Sequence, residues 1–109
     1  MSLLLSLSLL SCQEQINEGE VTLTVSVLGK NESSRFGFKQ ATLLDVVKTK
    51  CDVETKKTIY TEYLTCIDNI CANDEFSWVY YVNDDPINQG IDIYEVKNDD
   101  KILVIYKKV

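Results

Sequence analysis

The side chains that could carry out chemistry in this 109-residue sequence are four cysteines and several paired carboxylates. Histidine is absent, so a serine or cysteine nucleophile would lack its usual general base and a metal would lack its commonest ligand. The pairs Asp84-Asp85 and Asp99-Asp100 lie among turn-forming residues, where aspartate stabilises turns far more often than it transfers protons. We therefore expect no catalytic site and predict that the protein is not an enzyme.

Three of the cysteines, Cys51, Cys66 and Cys71, lie in the body of the chain. The spacing of Cys66 and Cys71 fits two residues that face each other across a four-residue hairpin loop, so this pair is our preferred disulfide. A bridge from Cys51 to either of them is the alternative. Three cysteines without histidine and without a Cys-x-x-Cys pair make a poor zinc site, so no metal is expected.

The fourth cysteine, Cys12, follows an uncharged apolar run at residues 2–11. The run is too short to span a bilayer and fits the apolar region of a signal peptide. The string Leu9-Leu10-Ser11-Cys12 resembles the lipobox of prokaryotic lipoproteins, in which the chain is cut before the cysteine and the thiol is lipidated. The resemblance implies a signal peptide at residues 1–11, a lipid on Cys12 and a tether at residues 12–19. An ordinary cleaved signal or a packed apolar strand is the alternative.

Length and composition indicate one globular domain, with 45% hydrophobic and 26% charged residues. The formal net charge of −6 argues against nucleic acid as a partner, because phosphate groups require a basic surface. We expect an exported protein, anchored to a membrane on the cell surface or in the periplasm, with an unknown small-molecule or protein ligand.

Hydrophobic periodicity predicts the elements that would position these residues. Residues 21–27 alternate as in a strand with one buried face, and residues 35–39 fit a short second strand. Thr42 and Asp45 have capping-box spacing in front of an amphipathic helix that runs to about Lys50. Four more strands are predicted over residues 59–67, 76–83, 91–96 and 102–106. One helix among several strands predicts an α+β domain with the helix on one sheet face.

The strand at residues 76–83 is the most distinctive segment. One face carries Phe76, Trp78, Tyr80 and Val82, and the other carries Val79 and Tyr81. Because both faces cannot be exposed cheaply, one should pack under the helix and the other should be partly covered or contact a ligand. Trp78 is therefore predicted to be either a core residue or a binding platform.

Five segments resemble, in the same order, the transcobalamin-like C-terminal domain family. The matching segments are residues 41–47, 63–67, the Trp78 strand, 86–94 and 101–105. The family includes the small β domain of the cobalamin carriers transcobalamin and intrinsic factor, and free-standing exported prokaryotic domains. The resemblance covers about residues 20–109 and implies a β-grasp-like fold, in which an antiparallel or mixed sheet cradles one short helix. Family members commonly have glycine after the aromatic strand; Asn83-Asp84 stands here instead, and both residue types tolerate the positive φ of a turn.

In the carriers, the segments that match Trp78 and Gln89-Gly90-Ile91 lie on the side that closes over cobalamin. The resemblance therefore implies these candidate ligand-binding residues: Trp78, Tyr80, Gln89, Gly90 and Ile91. Our leading hypothesis is a non-catalytic, lipid-anchored binding module with no cofactor. One alternative is a domain that captures cobalamin or another corrinoid together with a partner. Another is a structural cell-surface domain whose edge strand pairs with a second protein.

Overall fold

The computed structural model describes residues 17–109. Within these residues the elements are β1 (Glu18–Val27), β2 (Lys30–Lys39), α1 (Leu43–Lys50), β3 (Val53–Lys57), β4 (Glu62–Ile67), β5 (Ile70–Cys71), β6 (Phe76–Val82), β7 (Asp85–Pro86) and β8 (Lys101–Lys108). The predicted signal peptide, the predicted lipidation site Cys12 and the tether as far as residue 16 lie outside the described residues. Strand β1 includes residues 18 and 19, which the sequence assigned to the tether.

The strands form two sheets. The larger sheet has the order β2-β1-β8-β6-β7 and is mixed, since β1 runs parallel to β8 and the other pairs are antiparallel. The smaller sheet is antiparallel, with the order β3-β4-β5. Within residues 17–109, mixed and antiparallel sheets with one short helix confirm the predicted α+β class.

Three hairpins turn on two residues that both have positive φ. These turns are Leu28-Gly29, Asp68-Asn69 and Asn83-Asp84. Positive φ at both central positions is the geometry of the tight turns that match the twist of paired strands. The prediction that Asn83-Asp84 turns without glycine is confirmed, since φ is 53° and 71° at these residues.

Helix α1 begins with the predicted capping box. The Thr42 hydroxyl accepts a hydrogen bond from the Asp45 amide at 3.2 Å, and the Asp45 carboxylate accepts one from the Thr42 amide at 2.9 Å. These two bonds satisfy amides that the helix itself leaves without partners. The apolar face of the helix, Leu43, Leu44, Val46 and Val47, is buried in a core that both sheets share.

The predicted strand at residues 91–96 is wrong, because this segment folds into turns around the start of the helix. The carbonyl of Ile91 accepts the Leu44 amide, and the carbonyl of Tyr94 accepts the Leu43 amide, both at 2.9 Å. The carbonyl of Gly90 accepts the amides of Ile93 and Tyr94. These carbonyls therefore satisfy the helix amides and the local turns instead of a strand ladder.

The predicted strand at residues 59–67 is correct only from Glu62 onward. Residues 58–61 turn, because the Thr58 hydroxyl accepts the Thr61 amide at 3.1 Å and the Thr58 amide donates to the Thr61 carbonyl at 2.7 Å. Strand β3, which leads into this turn, was not predicted, and β2 begins at Lys30 and not at residue 35. Both strands have mostly exposed, charged or polar residues, so hydrophobic alternation is weak there.

The elements run between two ends of the domain. We call the first the loop end; it holds the start of β1 and the loop at residues 87–100, and the Asn17 amide side chain donates to the Val96 carbonyl there at 2.6 Å. We call the second the disulfide end; it holds the turns Leu28-Gly29 and Asp68-Asn69. Strands β1, β4 and β8 and helix α1 all run from the loop end to the disulfide end.

Candidate functional site: a cleft beside the disulfide hairpin

The hairpin of β4 and β5 is closed by the disulfide between Cys66 and Cys71, as predicted. The two cysteines are direct partners in the antiparallel ladder, and Ile67 pairs with Ile70 inside them. The loop is therefore shorter than the predicted four residues, with only Asp68 and Asn69 unpaired. A covalent ring closes around this turn and fixes the positions of the side chains on it.

Cys51 is a free cysteine, so the alternative bridges from Cys51 are wrong. Burial raises the pKa of the Cys51 thiol, and the negative charges of Asp68, Glu32 and Asp52 raise it further. A thiol with a raised pKa stays protonated near neutral pH and is a poor nucleophile and a poor metal ligand. Cys51 therefore adds no reactive group to this end of the domain.

Trp78 fixes the hairpin to the larger sheet. It is only 4% exposed, and its indole N–H donates to the carbonyl of Ile70 at 3.0 Å. The neighbouring Tyr106 donates its hydroxyl to the carbonyl of Cys71 at 2.6 Å, and its ring centroid lies 4.9 Å from that of Trp78. This burial favours the core alternative for Trp78 over an open binding platform.

A cleft of about 570 Å³ opens between this hairpin and the ends of β1 and β2. Its lining residues are Val25, Val27, Lys30, Asn31, Glu32, Ile67, Asp68, Ile70 and Trp78. The five apolar side chains form the walls, and the exposed polar residues form the rim. The volume lies in the range of about 300–1,000 Å³ that is common for small-molecule sites, which are mostly apolar with a few polar groups.

The rim of the cleft carries both charges. Lys30 is a cation and hydrogen-bond donor, whereas Glu32 and Asp68 are anions and acceptors. Asp68 is held in place, because its carboxylate accepts the Asp52 amide at 2.9 Å and its own amide donates to the Asp52 carbonyl at 2.7 Å. The apolar walls can contact the apolar part of a ligand, and the charged rim can contact polar groups at the edge of that ligand.

Tyr80 joins the two sheets at mid-strand. Its hydroxyl accepts a hydrogen bond from the Leu64 amide at 3.3 Å, which connects β6 to β4. Burial raises the pKa of Tyr80. The side chain packs against the core and is not one of the residues that line the cleft.

The structure places the segment Gln89-Gly90-Ile91 at the loop end, away from Trp78. Ile91 is a core residue. Gly90 packs so closely that a Cβ there would overlap the hydroxyl oxygen of Thr61. Gln89 is exposed and lines a second, smaller cleft of about 290 Å³ with residues 82, 83, 85–88 and 94. The five candidate residues are therefore not brought together in one site.

Asp100 belongs to the carboxylate pair Asp99-Asp100, which the sequence assigned to a turn. It is buried, and its carboxylate accepts hydrogen bonds from the Asn83 side chain, the Tyr94 hydroxyl and the Lys97 amide at 2.8–2.9 Å. Asn83 in turn accepts the Lys101 amide. The group ties the loop end to the start of β8, which is a structural role.

Residues 40–108 match the family model described as a domain of unknown function, DUF4430. This chain belongs to the DUF4430 family. No curated protein sequence matches it significantly. Among solved structures, haptocorrin in complex with Cbi shares the fold with a TM-score of 0.77 and 20% identity over 88% of this chain. The DUF4430 chain spans only 26% of the haptocorrin chain.

A candidate metal-binding protein from Ruminococcus gnavus also shares the fold, with a TM-score of 0.71 and 20% identity. The match covers 84% of the DUF4430 chain and 98% of that protein. Likeness at this identity shows a common fold. Together with the haptocorrin match, it confirms the predicted transcobalamin-like domain.

Within residues 17–109, no group of three or more histidine, cysteine, aspartate or glutamate side chains is placed to hold a metal ion. Nor does this part of the chain contain a helix that is long and apolar enough to cross a membrane.

Sequence reasoning missed most of the residues that line the cleft in the DUF4430 domain. It singled out Trp78 and predicted the disulfide next to the cleft, but not Val25, Val27 or Lys30. Val25 and Val27 have the alternation of any half-buried strand. Their place in a cleft follows from the packing of the disulfide hairpin over the end of β1, which is a contact between residues about 40 positions apart.

Proposed function

We propose that this chain is a non-catalytic binding module of an exported protein, anchored to a membrane by a lipid on Cys12. The observation that carries the proposal is the cleft of about 570 Å³ with apolar walls and a charged rim. A pocket of this kind is the default binding site of a small domain. The Cys66–Cys71 disulfide supports export, because such bonds persist in oxidising compartments.

The ligand that fits the cleft is a small molecule with an apolar face and a polar edge. Val25, Val27 and Ile70 would contact the apolar face, and the rim offers both a cation at Lys30 and anions at Glu32 and Asp68. Because the walls are held by a disulfide and by the Trp78 hydrogen bond, they need little reordering on binding. Preorganised walls favour affinity by reducing the entropy lost on association.

A corrinoid is the more specific candidate ligand, because haptocorrin with the same fold was solved in complex with Cbi. A corrinoid is larger than the cleft and would protrude from it. Capture would then require a partner that covers the protruding side, in line with the 26% of the haptocorrin chain that this domain matches. We also propose that the fold is β-grasp-like, with α1 packed on the larger sheet.

Titration of the full chain with cobalamin, Cbi and a series of small apolar acids and amines would test the proposal. Trp78 is the single tryptophan and lines the cleft, so its fluorescence reports occupancy directly. Val27→Phe should fill the cleft and weaken binding, whereas Gln89→Ala at the loop end should leave it unchanged. Loss of binding in Gln89→Ala with full binding in Val27→Phe would move the site to the second cleft and overturn the proposal.

A purely structural role through strand addition is less well supported. Strand β2 is ten residues long and lies at the edge of the larger sheet. However, it carries Lys30, Glu32, Arg35 and Lys39, and charged residues are a common protection against pairing at such an edge.

A further inference from the structure

The turn between β3 and β4 exposes two adjacent apolar side chains at the loop end. Ile59 is 91% exposed and Tyr60 is 85% exposed. The backbone that presents them is held in a turn, because the Thr58 hydroxyl accepts the amides of both Tyr60 and Thr61. We call Ile59 and Tyr60 the apolar tip. A hydrogen-bonded turn that holds two adjacent large apolar side chains in solvent indicates a contact surface.

The apolar tip lies on the same end of the domain as the start of the described chain. The Thr61 hydroxyl donates to the Asp92 carboxylate at 2.8 Å, which joins the tip to the loop at residues 90–96. The side-chain amide of Asn17 donates a hydrogen bond to the Val96 carbonyl, at the other end of that loop. Ile93, between these two contacts, is a third exposed apolar side chain.

Cys12 lies five residues before Asn17 in the sequence. Five residues span at most about 17 Å even when fully extended. A lipid on Cys12 would therefore hold the loop end, and with it the apolar tip, close to the bilayer. This step rests on the lipid anchor of the proposed function.

The chemistry of the tip suits the interface of a lipid bilayer. Tyrosine is enriched at that interface, where its ring is apolar and its hydroxyl remains hydrated. The exposed Lys56 and Lys57 precede the tip, but Glu62 and Asp92 offset their charge. Contact should therefore depend mainly on apolar insertion and only weakly on anionic lipid.

We propose that the apolar tip inserts into the bilayer interface and, together with the lipid, orients the domain. The six residues of β4 separate the tip from the disulfide end by about 20 Å. In this orientation the cleft beside the disulfide hairpin opens away from the membrane, where a soluble ligand or partner can reach it.

Brominated phosphatidylcholine, which quenches tryptophan at the bilayer interface, tests the orientation. The lipidated full chain is reconstituted in these vesicles as Tyr60→Trp and, separately, as Leu28→Trp, with wild type giving the Trp78 background. Leu28 is the matched control, because it is 70% exposed but lies at the disulfide end. We expect Tyr60→Trp to be blue-shifted and quenched, and Leu28→Trp to be neither. Equal quenching of the two, or none in a membrane-bound Tyr60→Trp protein, would overturn the inference.

The anchor itself is checked first by the mass of the processed protein. If Cys12 carries no lipid, the proposed anchor fails, and the processed protein is then mixed with the same vesicles. Quenching of Tyr60→Trp alone would still support the tip, and absence of quenching would reject it. Failure of the anchor and failure of the tip therefore give different results.

Discussion

The indole N–H of Trp78 donates to the carbonyl oxygen of Ile70 at 3.0 Å, across the two sheets of the domain. Trp78 lies on β6 of the larger sheet, and Ile70 begins the short strand inside the disulfide ring. The bond therefore links a buried aromatic side chain of the core to a wall of the proposed binding cleft. Stability and ligand binding should be coupled through this pair.

Substitution of Trp78 separates its packing from its hydrogen bond. Trp78→Ala should lower the free energy of unfolding by about 3–5 kcal/mol, since a large buried side chain leaves a cavity. Trp78→Phe retains most of the packing and should cost less, with the loss of the bond to Ile70 contributing about 1–2 kcal/mol. Urea unfolding followed by circular dichroism measures both. A Trp78→Ala protein as stable as wild type would contradict the core assignment.

Removal of the disulfide should have a modest effect on stability. A ring of six residues constrains the unfolded chain only a little, so Cys66→Ser with Cys71→Ser should cost about 2–3 kcal/mol. The change should also loosen the wall formed by Ile67 and Ile70 and weaken any ligand of the cleft. Thermal unfolding with and without reductant checks this for the wild type. Cys51→Ala is the matched control, and sensitivity to reductant should persist in it.

The sequence predicted those elements whose signal is local. The capping box of Thr42 and Asp45 and the alternation in β1, β6 and β8 each depend on neighbouring residues alone. Residues 91–96 have apolar residues at strand spacing, but their carbonyls accept the first amides of a helix some 50 positions earlier. No local pattern contains that information.

The candidate site was predictable to a smaller extent. Resemblance drew attention to Trp78 and to the segment Gln89-Gly90-Ile91, and the structure places them at opposite ends of the larger sheet. The pairing of β1 with β8 is parallel and joins residues about 80 positions apart, so the face that each strand contributes to the cleft depends on the whole topology. The negative net charge argued against nucleic-acid binding, and the absence of histidine argued against catalysis and metal binding. Neither observation locates a binding site.

Gly90 should not tolerate a side chain, for a steric reason. Its φ is not positive, but a Cβ would overlap the hydroxyl oxygen of Thr61 and lie 2.7 Å from the Asp92 carboxylate. Gly90→Ala should therefore cost about 1–3 kcal/mol, as expected of overpacking. Thr61→Ala removes the overlapping oxygen and should restore part of the stability in the double variant. If the losses of stability in the two single variants simply add in the double variant, the overlap with Thr61 is not the cause of the loss in Gly90→Ala.

The membrane anchor can be tested independently of ligand. Wild-type protein should be recovered with the membrane fraction, because a lipoprotein carries more than one acyl chain and two or more chains hold firmly. Cys12→Ser should release the protein or leave the leader uncut. Fractionation followed by immunoblotting measures both. Equal membrane retention of wild type and Cys12→Ser would reject lipidation at this residue.

Alkaline pH should weaken the loop end through Tyr94. Burial, with the hydrogen bond to Asp100, raises the pKa of Tyr94 to about 12. The folded state therefore favours the protonated phenol, so its stabilising effect is complete below the ordinary pKa of tyrosine and is lost as pH rises toward 12. Burial also raises the pKa of Tyr80, so ultraviolet titration should show two of the six tyrosines, Tyr80 and Tyr94, ionising late. The late step should lose one of its two tyrosines in Tyr94→Phe, while Tyr63→Phe, which changes an exposed tyrosine, should retain both. A late step that keeps its full amplitude in Tyr94→Phe would assign it to other tyrosines and remove the support for a protonated Tyr94–Asp100 pair.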